Sequence, residues 1–245
     1  MSLGLKLVLL PLLVAQARAT RRGAPVLPEA DGPREGRVGD GAAALRLLIA
    51  GDSSAAGVGV AHQDQALAGH LTRELHRHTS AAVHWSLHAR SGYTTRRVHE
   101  LLREAPLVSM DVAMIVTGVN DVIEQVPAQR ALRQRAALAD WLLGDGLAEH
   151  VVFAPLPPLH RFPVLPEPLR RVMGEDARRH DEAVACWAAT QSRVTHVPLD
   201  VELDVSALAV DGFHPGEPVY RCCGSAFAAH IATRVWPGLI LESTA

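Results

Sequence analysis

Aromatic side chains are scarce in this chain, at 4% Phe, Trp and Tyr, which leaves few platforms for stacking bases or sugar rings. The core must therefore be built from Leu, Val, Ile and Ala, and a substrate pocket is expected to be aliphatic. Cysteine is also rare. Cys186, Cys222 and Cys223 are odd in number and two are adjacent, so no disulfide framework is indicated and the three read as buried or spare thiols. The thirteen histidines form no HExxH and no zinc-type spacing with cysteine, so neither a metal nor another cofactor is expected. An excess of positive charge is missing as well: 24 Lys and Arg stand against 26 Asp and Glu, which argues against nucleic acid as a partner.

A long unbroken hydrophobic run is the last absence. The most apolar stretch, Leu3 to Ala19, is interrupted by Pro11, carries Arg18 and is followed by Arg21 and Arg22. That is short for a membrane span. It reads equally as a signal peptide ending in the small-x-small Ala17 to Ala19, as a helix on a membrane surface, or as a segment docked on the protein. Because positive charge at its end resists translocation, a cytoplasmic or membrane-surface location is preferred. A secreted or periplasmic one follows if residues 1–19 are cleaved. Arg21 to Gly41, rich in Pro, Gly and charge, reads as an irregular linker. The expected organisation is thus an apolar segment plus linker over residues 1–41 and one globular domain over 42–245. At 245 residues and 48% hydrophobic, the chain is long enough for one sizeable core. Nothing in it reports an oligomeric state.

What is present is an alternation of strand, small-residue loop and helix. Leu47 to Ala50 is a continuous apolar run ending at Gly51, the pattern of a strand buried on both faces. Ser53, Ser54, Ala55, Ala56, Gly57 and Gly59 follow and permit a tight bend. Leu67, Leu71 and Leu75 predict an amphipathic helix, with Asp64 as its N-cap. A second strand is predicted at Ala82–Ala89, with a turn at Gly92 and a helix capped by Thr94 or Thr95 and carrying Val98, Leu101 and Leu102. Val112–Thr117 is a third strand, running into Gly118–Asp121. A helix through Leu138, Trp141 and Leu142 leads to a fourth strand at Val151–Phe153, and a long helix over Leu169–Thr190 precedes a fifth near Val194–Val197. Five strands alternating with helices predict a three-layer α/β/α sandwich around a mainly parallel sheet, with the site at the carboxyl ends of the strands. Ser53, Gly92 and Asn120 each fall just past such an end.

Asp211 and His214, three residues apart in VDGFHP, complete a chemical pattern. A serine hydroxyl is a weak nucleophile until a base takes its proton, and an imidazole does so best when a carboxylate fixes its tautomer. Ser53, His214 and Asp211 are candidates for these roles. The order GDS, an isolated Gly after the second strand, GxND after the third, and DxxHP near the carboxyl terminus resembles the SGNH, or GDSL, hydrolases over about residues 46–235. The resemblance implies an SGNH/flavodoxin-like fold and a carboxylic ester hydrolase. It also implies Ser53 as nucleophile, His214 as base and acid, and Asp211 as its orienter. The oxyanion hole would come from the N–H groups of Ser53 and Gly92 and the amide of Asn120. Where the family's name calls for Leu after the Ser, this chain has Ser54, which leaves a small opening for Ser54 as nucleophile.

Other readings stay beside this one. Asp52 is expected to cap its own turn, and Asp121 to bond a loop. Cys222 and Cys223 lie near His214 without a separate histidine. GDSSA also approaches the GxSxG elbow of α/β-hydrolases, although the nearly adjacent Asp and His argue against that fold. A non-catalytic binding module of the same fold is a third class. The segment Ala154–Leu169, with Leu156, Leu159 and Phe162, is expected either to wall a substrate pocket or to pack downward. An apolar wall favours hydrophobic acyl or aryl esters as the small-molecule substrate; acyl thioesters and acetylated carbohydrates are the alternatives.

Overall fold

The computed structural model describes residues 3–198 and 205–243. Strand β2 (Ala44–Gly51) occupies the middle of a six-stranded sheet ordered β1-β3-β2-β4-β5-β6. The others are β1 (Glu35–Val38), β3 (Ala82–Ala89), β4 (Met110–Val116), β5 (Ala148–Phe153) and β6 (Val194–His196). All neighbours run parallel except β1, which lies antiparallel on β3. The sheet thus has one strand more than the five the sequence predicts. That strand lies inside the stretch expected to be irregular, and its residues are mostly exposed, so it carries no burial pattern to read.

The run LLIA is continuous because β2 is covered on both faces. Leu47 and Ile49 join a cluster on one side with Leu71 and Leu75 of helix α2 (Leu67–Thr79) and Phe227 of α7 (Glu217–His230). Leu48 and Ala50 join the opposite cluster with residues of three helices, α3 (Thr95–Glu104), α5 (Ala128–Gly144) and α6 (Leu169–Ala188). The period of two therefore sorts a single run into two cores. From β2 the chain crosses to β3 on one side and then returns to β4 on the other. The crevice of such a sheet opens where its neighbours diverge in this way, at the ends of β2 and β4.

Two helix starts differ from expectation. Asp64 lies in a 3₁₀ turn (Gln63–Gln65), and α2 begins after Ala66 without a side-chain cap. The buried Gln63 amide holds that turn by donating to Ala30 O at 3.2 Å and Ala56 O at 3.0 Å, which delays the helix. Thr94 precedes α3 but makes no capping bond. The carboxylate of Asp121 accepts from Thr95 N instead, at 3.3 Å.

At the amino terminus, helix α1 (Leu3–Gly23) runs through Pro11 and docks on the protein. Leu13 is buried in a third apolar cluster with Leu165, Leu169 and Met173, and Gln16 brackets the start of α6. Its Nε2 donates to Glu167 O at 2.6 Å and its Oε1 accepts from Leu169 N at 3.2 Å. No helix among the described residues is long and apolar enough to cross a membrane. The remaining helices are α4 (Val119–Ile123) and α8 (Trp236–Ser243), the latter joined to α7 by one π turn.

Candidate active site

Ser53 sits on the turn that leaves β2, and its position is set from both sides. Ala56 N donates to Asp52 O at 2.9 Å and Val58 N to Ser53 O at 3.0 Å, so the backbone closes on itself immediately after the strand. Gly59 then lets the turn lie against the His214 loop. Its φ is +108°, and a Cβ there would stand 2.2 Å from Pro215 O, so a side chain would push the two segments apart.

The loop carrying Asp211 and His214 is fixed by its own hydrogen bonds. Asp211 Oδ1 accepts from the amides of Phe213 and His214, both at 2.9 Å, and Ala209 N donates to His214 O at 2.8 Å. Asp211 Oδ2 then lies 2.5 Å from His214 Nδ1, while His214 Nε2 lies 3.1 Å from Ser53 Oγ. Burial pushes the Asp211 carboxyl up, but the bonds from the His214 ring and the two amides outweigh it and hold the group below the ordinary carboxylate range. An ionised Asp211 can only accept, so Nδ1 carries the proton and Nε2 is free to take one from Ser53. The chain thus brings together a serine and a histidine 161 positions apart, in register for proton transfer.

Three loops meet beside Ser53. Arg90 N donates to Gly51 O at 3.2 Å, tying the turn after β3 to the end of β2. Gly92 lies in that turn with φ +80° and open space around it. Asn120, in the first turn of α4, donates from Nδ2 to Tyr93 O at 3.1 Å and more weakly to Asp52 Oδ2 at 3.4 Å. Asp52 acts as the sequence suggests: its Oδ1 accepts from Ser54 N at 3.0 Å. Burial pushes its carboxyl up to about 7, against the Ser54 bond. Asp121, also buried, holds Thr95 by both its amide and its hydroxyl and faces the buried Arg135 at 3.4 Å. Arg135 is not among the residues that the motifs single out. Its signal was a charge on the apolar stripe Ala131, Leu138, Leu142 of α5, all buried on one helix face.

Two cavities open at His214. A cleft of about 340 Å³ contains Ser53, Leu156, Phe162, Phe213 and Phe227 in its lining. Leu156 is held there by Asp181, whose Oδ1 accepts from Leu156 N at 2.8 Å and from His196 Nε2 at 2.9 Å. Leu159, expected in the same wall, is fully buried in the third apolar cluster and is not part of the lining. It packs downward because the 3₁₀ turn Leu159–Arg161 points it into the core. The second cavity, of about 530 Å³, has Leu10, Leu13 and Val14 of α1 in its lining together with Asn120, Asp211 and His214. Phe213 borders both, edge to face with Phe162 and with the His214 ring. Among the described residues no group of three or more His, Cys, Asp or Glu is placed to hold a metal ion.

This fold and this arrangement of serine, histidine and carboxylate at the switch point define a class, the α/β/α hydrolases with an activated serine. The family model of the GDSL-like lipase/acylhydrolase family matches residues 49–222, most of the chain, and the protein belongs to that family. Solved structures of similar fold include the lipase Lip_vut3 from a goat rumen metagenome, at 15% identity and a TM-score of 0.66 over 78% of this chain and 99% of that one. A Clostridium thermocellum family 3 carbohydrate esterase follows at 16% identity and a TM-score of 0.62, covering 81% and 98%. An M. smegmatis aryl esterase has 20% identity and a TM-score of 0.56, covering 76% and 98%. No curated protein sequence matches the chain.

Proposed function

We propose that the protein is a serine esterase that hydrolyses carboxylic esters with hydrophobic acyl or aryl groups through an acyl-enzyme. The observation that carries this reading is the relay from Ser53 Oγ through the His214 ring to Asp211, at 3.1 and 2.5 Å. Ser53 Oγ attacks the ester carbonyl as its proton passes to His214 Nε2, and the carbonyl π pair moves onto oxygen. Collapse of that tetrahedral species breaks the bond to the alcohol, which leaves with the proton from Nε2. Water then repeats the sequence on the acyl-enzyme, releasing the carboxylic acid and returning the proton to Ser53. Asp211 keeps Nδ1 protonated and stabilises the imidazolium in both halves.

The oxyanion forms where Ser53 N, Gly92 N and Asn120 Nδ2 converge in this reading. One N–H of Asn120 is engaged by Tyr93 O, and the other meets only the long contact to Asp52, which a developing oxyanion replaces. The side chains of Leu156, Phe162, Phe213 and Phe227 in the lining of the cleft support hydrophobic acyl or aryl groups over acetylated sugars. The test is Ser53→Ala assayed on p-nitrophenyl esters, with Ser54→Ala beside it. Ser53→Ala should lower kcat on the order of 10³ to 10⁶ with the fold intact, and Ser54→Ala should stay active. The reverse pattern moves the nucleophile by one residue, and activity in both variants refutes the serine mechanism.

A further inference from the structure

Helix α1 is held on the protein by one narrow side. Leu9, Leu13, Gln16 and Thr20 recur at intervals of four and three and are its less exposed positions, with Leu9 and Leu13 against the third apolar cluster and Gln16 bonded to Glu167 O and Leu169 N. The rest of the helix faces solvent, and in its first half the solvent-facing side chains are apolar. Val8 is 77% exposed, Leu10 51% and Leu12 46%, and Pro11, Val14 and Ala15 are exposed beside them. The apolar surface continues around the larger cavity: Leu10 and Val14 line it together with Val26 and Ile123, both exposed. A contiguous patch of this kind marks a surface that meets something other than water. The second half of the helix is cationic. Arg18, Arg21 and Arg22 are exposed, no Asp or Glu precedes Glu29 in the sequence, and none of the three arginines pairs with a carboxylate among the described residues.

We propose that α1 docks the protein on an anionic phospholipid surface, the apolar side chains of its first half entering the boundary between headgroups and acyl chains while Arg18, Arg21 and Arg22 meet the lipid phosphates. Two features select this occupant. Apolar side chains and cations follow one another along a single helix of 21 residues, and a bilayer interface offers hydrocarbon and phosphate side by side. A second copy of the chain would bring the same acid-free helix, with no carboxylate on it to meet the arginines. The helix lies on the surface and does not span it, since no described helix is long and apolar enough to cross a membrane. Long arginine stems let the guanidinium groups stay at phosphate level while the apolar half lies deeper. Leu13 and Gln16 fix α1 against α6, so docking also orients the protein. Leu10, Val14, Val26 and Ile123 then lie against the lipid, and the cavity they line is the one that also has Asn120 and His214 in its lining.

The test is co-sedimentation of the full-length protein with vesicles of phosphatidylcholine alone and of phosphatidylcholine with about 30% phosphatidylglycerol, at low and at physiological salt. The expected result is binding to the mixed vesicles that weakens as salt rises and is at least about tenfold weaker on phosphatidylcholine alone. Arg18→Gln, Arg21→Gln and Arg22→Gln combined should weaken binding to the mixed vesicles roughly a hundredfold, about fivefold for each arginine near an anionic surface. Val8→Ser combined with Leu12→Ser should weaken it at least about tenfold by removing two inserted side chains. Val108→Ser, equally exposed at 77% but outside α1 and the cavity lining, is the control and should bind as wild type does. Every substituted position is exposed, and the thermal midpoint of each variant shows that it is folded. Failure of the wild-type protein to bind the mixed vesicles overturns the proposal, as does unchanged binding in either combined variant when folded. A concentration-dependent dimer in sedimentation velocity that Val8→Ser with Leu12→Ser abolishes, without vesicle binding, gives the face to a second copy and also overturns it. Docking needs no catalysis, so Ser53→Ala should bind the vesicles as wild type does, and the esterase reading stands or falls separately.

Discussion

Asn120→Ala is the perturbation that separates an oxyanion donor from a loop residue. Asn120 is half-buried and its amide makes one good bond, to Tyr93 O at 3.1 Å. Truncation removes that bond and leaves a backbone carbonyl short of a partner, a stability loss of about 1 to 2 kcal/mol. A domain stable by roughly 5 to 15 kcal/mol remains almost wholly folded after such a loss, so the folding effect on the rate is negligible. The catalytic effect is of another size. A single side-chain donor aimed at a developing oxyanion is worth about 2.7 to 4 kcal/mol, or roughly 10² to 10³ in kcat, with KM changed less because the neutral ester carbonyl needs it less. Initial rates on p-nitrophenyl butyrate, divided by the concentration of sites titrated with a fluorophosphonate, give kcat per competent serine; urea unfolding gives the stability change in the same samples. Asn120→Asp should be at least as damaging, since a carboxylate repels the oxyanion. A folded Asn120→Ala protein with near wild-type kcat refutes the assignment.

Two further predictions concern the buried charges around that amide. The Asp52 carboxyl is raised from 3.8 to about 7 in the folded protein, so the folded state holds this proton more tightly than the unfolded one. Its contribution to stability is complete below about pH 4 and is lost as pH rises to about 7; Asp52→Asn should therefore gain on wild type by on the order of a few kcal/mol between pH 4 and pH 8 in urea unfolding, and a constant difference refutes this. Arg135→Met strands the fully buried Asp121 carboxylate and should cost about 3 to 5 kcal/mol, whereas a loss below about 1 kcal/mol by the same assay means the pair is not the support of α3 and α4.

How legible the fold was depended on how local the cause of each element is. The turn at Ser53 could be read because its causes are adjacent: an apolar strand that must stop and small residues that can bend. The same holds for Leu67, Leu71 and Leu75, whose four-residue spacing is one buried stripe on α2. Strand β1 could not be read, since EGRV is held by pairing with β3 and not by burial of its own side chains. Its neighbours matter for the same long-range reason: Glu29 Oε1 accepts from Ser91 N at 2.6 Å and Arg34 donates to Ala89 O at 2.8 Å, bracing the Gly92 turn from a segment that looked like linker. Leu156 and Leu159 are chemically the same and three residues apart, so only the course of the backbone decides which faces the cleft.

The meeting of Ser53 and His214 depends on how α7 is seated, because no strand carries the histidine. The helix begins at Glu217, three residues past His214, and packs on α2 so closely that a Cβ at Gly224 would stand 2.6 Å from His70 Cβ. Tyr220 then reaches back from α7 to donate to Val58 O at 2.7 Å, joining the helix to the Ser53 turn itself. Gly59 brings the same turn against Pro215 O. These are three contacts on one short path: Val58 and Gly59 on the turn, Pro215 and Tyr220 after the histidine, and Gly224 against α2. Each is a close approach of rigid parts, so the distance from Oγ to Nε2 is set by packing and not by the serine–histidine bond, whose energy is too small to pull a helix into place. The residues SAAGVG after Ser53 therefore do two things at once: they bend the chain at the end of β2, and they form the surface on which the loop bearing Asp211 and His214 comes to rest.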